Sequence, residues 1–212
     1  MPPQFGAVAK AYVAPDYQVK SFNRMVSGVA SVGTLQVPNP LAINLYVLGY
    51  DGNGNISQLN PATKQNLKNY ISYYRMLTDA VYIKDAYIIN IGIDFEIVVL
   101  PNYNSNEVLL KCINELKAYF SKQNSQINRP ILLSDIYVLL DRIDGVQTVV
   151  RPDLNGKGGL QIVNKYNGIY SSNVYDIKKA TRNGIIYPAK DPSIFEVKFP
   201  DLDIRGRVVP LF

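Results

Sequence analysis

The stretch from Ile89 to Val99 constrains this chain more than any other, because its large apolar residues fall at every second position. Ile89, Ile91, Ile93, Phe95, Ile97 and Val99 share one parity, and Asn90, Gly92, Asp94 and Glu96 share the other. A period of two belongs to a β-strand, whose successive side chains point to opposite faces. The pattern predicts a long strand buried on one face and solvated on the other, so the fold is built around a sheet.

Helices are predicted on both sides of that strand in sequence. After the break at Pro101-Asn102-Tyr103-Asn104, Ser105 is placed to cap a helix whose stripe is Val108, Leu109, Cys112, Ile113, Leu116, Tyr119 and Phe120. A further helix starts at Ser134, with Asp135 where the dipole favours negative charge, Ile136, Leu139, Leu140 and Ile143 inward, and Gly145 placed to end it. Strands follow at 146–150 and 160–163, joined by the turn Asn155-Gly156-Lys157-Gly158-Gly159. Upstream, strands are expected at 7–13 and 43–49, separated by a long loop over 15–40. Asn60 caps a helix with Pro61 at its first position and Leu67, Ile71, Tyr74 and Leu77 on its apolar side. The expected architecture is an α+β protein of two small lobes with mixed sheets and packed helices, residues 1–84 and 85–165. An extended C-terminal tail, 166–212, carries short strands, one of them over 194–199. No fixed-period repeat is present.

The chemistry of the chain narrows its function. There is no histidine among 212 residues, which removes the commonest general base, the commonest metal ligand and the usual serine-type triad. Cys112 lies within a helical apolar stripe, where a free cysteine is a core residue, and a single cysteine permits no intrachain disulfide. Asp94 and Glu96 stand roughly 7 Å apart along one strand face, within the range of a glycosidase carboxylate pair; because the opposite side of the strand carries the large apolar groups, a solvated sheet face explains both without any site and is the favoured reading. Asp51-Gly52-Asn53-Gly54-Asn55 opens like a calcium loop but carries Ile56 and Ala62 where glycine and glutamate are required, so it reads as a turn. Gly156-Lys157-Gly158-Gly159 lacks the earlier glycine and the following Ser or Thr of a phosphate loop. No catalytic residue, metal or cofactor is expected.

The formal charge of +5 is scattered, whereas nucleic-acid binding gathers its cations on one face. No apolar run approaches the roughly 18 residues of a membrane helix. Charged residues make up 18%, below the roughly 25% usual in soluble domains, and 16 tyrosines accompany 7 phenylalanines. Tyrosine's apolar ring and polar tip suit partly dry protein contacts. One stretch is a candidate contact: Asp201, Asp203, Arg205 and Arg207 alternate with Leu202, Ile204 and Val208, as on a strand able to join a neighbour's sheet. Phe195 and Phe199 are its apolar companions.

The order of these features resembles the baseplate J-like family of contractile-tailed phages. The residues that carry the likeness are Phe5-Gly6-Ala7-Val8-Ala9-Lys10-Ala11-Tyr12-Val13, Asn44-Leu45-Tyr46-Val47-Leu48-Gly49, and the run from Tyr70 to Asp79. Most telling is Arg129-Pro130-Ile131-Leu132-Leu133-Ser134-Asp135-Ile136 leading to Ile143-Asp144-Gly145-Val146. The tail Thr181-Arg182-Asn183-Gly184-Ile185-Ile186-Tyr187-Pro188, with Asp191-Pro192-Ser193-Ile194-Phe195-Glu196, looks like the large wedge subunits of the T4-like subgroup. The resemblance implies a structural virion component in the tail baseplate, assembled in the host cytoplasm. Such a subunit pairs with itself and with other wedge proteins in a ring around the tail hub, and takes no small-molecule substrate, nucleic acid or membrane. It also implies that the family's N-terminal part is missing, so that this is a C-terminal portion or a shortened homologue. A cell-wall hydrolase using Asp94 and Glu96, and a nucleic-acid-binding module drawing on the +5 charge, are the competing expectations.

Overall fold

The computed structural model describes residues 8–15, 42–52, 54–74, 80–121, 124–152, 158–189 and 192–210. The loop expected over 15–40, Leu77 and the turn residues 155–157 fall mostly or wholly outside these. The chain is α+β, as its patterning predicts, and divides into two compact units, residues 1–86 and 87–212.

The first unit holds β1 (Val8–Pro15), β2 (Ala42–Tyr50), β3 (Ile56–Ser57), α1 (Pro61–Ser72) and β4 (Ala80–Asp85). Strand β2 is central, antiparallel to β1 and β3 and parallel to β4. Asp51 closes the β2–β3 turn: its Oδ1 accepts from the Asn55 N–H at 2.7 Å and its carbonyl from the Gly54 N–H at 2.9 Å. The calcium-like sequence is thus a turn. Asn60 caps α1 as expected, accepting from the Ala62 N–H at 3.0 Å. The helix stops at Ser72, so Tyr74 lies past its end and is 74% exposed, not part of a buried stripe. Strand β4 was not anticipated; a Lys64–Asp85 ion pair at 2.5 Å ties it to α1.

The second unit holds β5 (Tyr87–Val99), α2 (Ser105–Tyr119), β6 (Ile131–Leu132), α3 (Leu133–Asp141), β7 (Val146–Val149) and β8 (Gln161–Lys165). It continues with α4 (Ile177–Ala180), β9 (Thr181–Arg182), β10 (Ile185–Ile186), β11 (Ser193–Glu196), α5 (Pro200–Asp203) and β12 (Ile204–Val208). The alternating segment, β5, is the spine of a five-stranded sheet. Strands β8 and β7 run antiparallel along one of its edges, and β11 and β12 run parallel along the other. A separate small sheet has the order β6-β10-β9.

The apolar parity of β5 behaves as its period dictates. Ile89, Ile91, Ile93, Phe95 and Ile97 are buried in one cluster with Val108, Cys112 and Leu116 of α2 and Ile136 and Leu140 of α3. Each such side chain contributes about 1.5–3 kcal/mol on burial. The polar parity departs from expectation: Asn90 and Gly92 are buried, Glu96 is half-buried, and of the four only Asp94 is exposed. Their cover comes from residues far downstream. Two helix starts also shift. Asn104, not Ser105, caps α2, accepting from the Asn106 N–H at 3.0 Å, and α3 begins at Leu133 with no side-chain cap. The segment read as an extended tail supplies β11 and β12, both paired directly to β5.

Candidate functional site

The second face of β5 is closed by a polar network built on the loop 166–175. Asn90 and Glu196 are each 1% exposed and stand opposite one another in the β5–β11 register, with Asn90 Nδ2 donating to Glu196 Oε2 at 2.9 Å. Beyond the last β8 pair, Asn90–Lys165, the chain leaves the ladder and its side chains take over the bonding. Ser171 Oγ and Asn173 Nδ2 both donate to the Ile88 carbonyl at 2.8 Å, and the Ser171 N–H donates to Asn90 Oδ1 at 2.8 Å. Asn164 Nδ2 donates to the Asn90 carbonyl at 3.0 Å and its Oδ1 accepts from the Tyr175 N–H at 2.9 Å. Buried backbone groups need partners, and here side chains supply what a longer strand would have supplied. These residues were missed at the level of sequence because a stretch dense in Asn, Ser and Gly reads as a solvated turn.

A second buried carboxylate anchors the C-terminal strands. Asp203 is 2% exposed; its Oδ1 accepts from the Tyr170 hydroxyl at 2.6 Å and its Oδ2 from the Phe199 N–H at 2.9 Å. Burial, and then the bond to this carboxylate, push the Tyr170 phenol up to about 12. Asp201 to Arg207 therefore do not form one strand. Pro200 starts the single turn α5, which turns Asp203 inward, and the strand begins only at Ile204.

In β12 the expected alternation holds for the arginines. Arg205 lies opposite Asp94 and Arg207 opposite Glu96, so the two arginines stand across from acidic residues of β5 in the same chain. Arg207 Nε donates to Glu96 Oε1 at 2.8 Å, Nη2 reaches the same oxygen, and Arg205 Nε donates to the Leu202 carbonyl at 3.0 Å. Of the candidate contact residues, Asp201, Arg205 and Arg207 are exposed and Phe199 is half-buried, while Phe195 and Asp203 face this unit's own interior. Asp201 also pairs with Lys117 of α2 at 2.6 Å.

Glu96 is held by the Arg207 fork, and Asp94 faces solvent beside Arg205. Cys112 is fully buried and desolvation pushes its thiol up to about 11, the opposite of an activated nucleophile. Among the described residues, no group of three or more acidic or thiol side chains is placed to hold a metal ion, and no helix is long and apolar enough to cross a membrane.

No family model matches the chain. Over 143 residues it is 27% identical to a protein named baseplate protein J from Escherichia phage P2, a match covering 68% of this chain and 45% of the relative. The chain thus spans less than half the length of the curated relative it matches. Over two thirds of its length, then, this α+β chain is similar to a phage baseplate protein.

Proposed function

We propose that this chain is a structural component of a phage tail baseplate, and within it a wedge subunit that links neighbouring wedges into a ring around the tail hub. The observation that carries the reading is the match to the P2 baseplate protein J over two thirds of the chain. The finer assignment, to the large wedge subunits of T4-like phages, draws support from the tail residues 181–188 and 192–196. These form the β9–β10 hairpin and the β11 strand and so belong to the folded unit. Its work is mechanical, done through protein contacts, and no residue is assigned a catalytic role. Self-association and contacts with other wedge proteins use exposed residues of the second unit, among them Asp201, Arg205 and Arg207. No specific observation favours hydrolysis or nucleic-acid binding. Co-expression of the chain with the neighbouring tail proteins of its source genome, followed by size-exclusion chromatography with light scattering, tests the reading. A stable complex with at least one of them is expected; a chain that stays monomeric and alone at micromolar concentration contradicts it.

A further inference from the structure

A shallow cavity of about 500 Å³ lies over α4 and the β9–β10 hairpin, with Tyr175, Lys179, Arg182, Asn183, Tyr187 and Pro188 among its lining residues. Its walls are fixed by hydrogen bonds. The Tyr175 hydroxyl donates to the Tyr187 carbonyl at 2.6 Å, the Tyr187 N–H donates to the Ala180 carbonyl at 3.2 Å, and Asp176 Oδ1 caps the Lys179 N–H at 3.1 Å. Asn183 and Gly184 both have positive φ, 52° and 75°, as a two-residue hairpin turn of the primed type requires, and this sets Arg182 at the rim. The charge here is one-sided. Lys179 and Arg182 line the groove and Lys178 neighbours them in α4; the one acid within 176–182 is Asp176, whose ion pair is with Lys179 at 3.2 Å, and among the described residues neither Lys178 nor Arg182 has an acidic partner. Three cations against one acid leave +2 within 176–182, out of +5 for the whole chain.

The geometry points to this groove as the docking site for an acidic peptide segment of a partner protein, carboxylates meeting Arg182 and Lys179 and an apolar side chain resting against Tyr187 and Pro188. Charge complementarity selects an acidic occupant, and a preformed groove avoids the ordering cost that weakens flexible sites. Two net charges are too few for a nucleic-acid track, which needs several phosphate contacts. That the segment belongs to a baseplate neighbour rests on the function proposed above; the groove's preference for acidic peptide does not.

The test is fluorescence anisotropy with a short labelled peptide of aspartate and glutamate carrying one central phenylalanine, competed by single-stranded oligothymidine of equal length. Peptide binding is expected to fall at least about tenfold in the Lys179→Glu/Arg182→Glu variant. It should change less than about twofold in Lys68→Glu, an exposed charge reversal on α1. Tyr187→Ala removes only a half-exposed ring and is expected to weaken binding about threefold or more, which decides the matter if the double reversal does not fold. Binding that is absent, that survives these substitutions, or that is stronger for the oligonucleotide overturns the inference. A negative result here beside a stable complex with tail proteins leaves the baseplate reading standing.

Discussion

Replacing Gly206 by alanine probes whether the C-terminal strand is built into the core. A Cβ at this position would lie 2.4 Å from Phe95 Cζ and 2.7 Å from Leu109 Cδ1, roughly an ångström inside the about 3.5–4.0 Å at which carbon atoms rest. Phe95 is 1% exposed and hemmed in by the β5–α2 cluster, so relief requires β12 to move off β5 or the ring to leave its rotamer. Overpacking of this kind costs about 1–3 kcal/mol, and the entropy that alanine removes from the unfolded chain returns about 0.4–1 kcal/mol. A net loss of about 1–2 kcal/mol follows; with a urea slope of about 2 kcal/mol/M the midpoint falls by roughly 0.5–1 M. Cys112, the only thiol of the chain, is fully buried in the same cluster and reports on this unit alone, so pulsed alkylation across a urea titration is the assay. Arg205→Ala, on the opposite face of β12, is the control and should stay within about 0.5 kcal/mol. A Gly206→Ala protein as stable as the parent refutes the placement of β12 against Phe95.

Four further outcomes follow from the same unit. Asp203→Asn and Tyr170→Phe should each destabilise by about 1–3 kcal/mol in chemical denaturation, and less than additively together, because both break the bond between Tyr170 and Asp203. Cys112 should resist iodoacetamide at pH 8 in the native protein and react fully in denaturant. Its thiol and the Tyr170 phenol are harder to ionise folded than unfolded, so the stabilisation they contribute is complete below their unfolded values of about 8.5 and 10. It should decline as pH rises toward about 11 and about 12, read as a falling melting temperature in alkaline buffers. A Glu96→Ala/Arg207→Ala double-mutant cycle should give a coupling of no more than about 1 kcal/mol, because the arginine side chain is 72% exposed.

Local pattern made some of this legible. The β5 period, the α2 stripe with Cys112 inward and the Asn60 cap all express rules that operate within a turn or a strand. What escaped depended on distant partners. Asn90 and Gly92 have the composition of a solvated face and are buried only because loop 166–175 and the Lys165 stem, whose Cε occupies the space of a Gly92 side chain, cross over them. Strand β4 lacks a clean alternation, and its parallel pairing to β2 has no local signature. The short apolar runs beyond residue 166 look like a tail until β5, more than a hundred positions earlier by the Ile204–Ile93 pairing, gives β12 its partner. Arg205 and Arg207 alternate in the sequence and stand opposite Asp94 and Glu96 of β5, with Arg207 paired to Glu96.

The role proposed for this chain is that of a part in a tail baseplate. Quantitative mass spectrometry of tail particles purified from a lysate of its source, compared with the tail-free fraction of the same lysate, examines this proposal. The account predicts the chain's peptides in the tail fraction in fixed ratio to other baseplate proteins, retained through a salt wash. Peptides found only in the tail-free fraction, with none in purified tails, would contradict it.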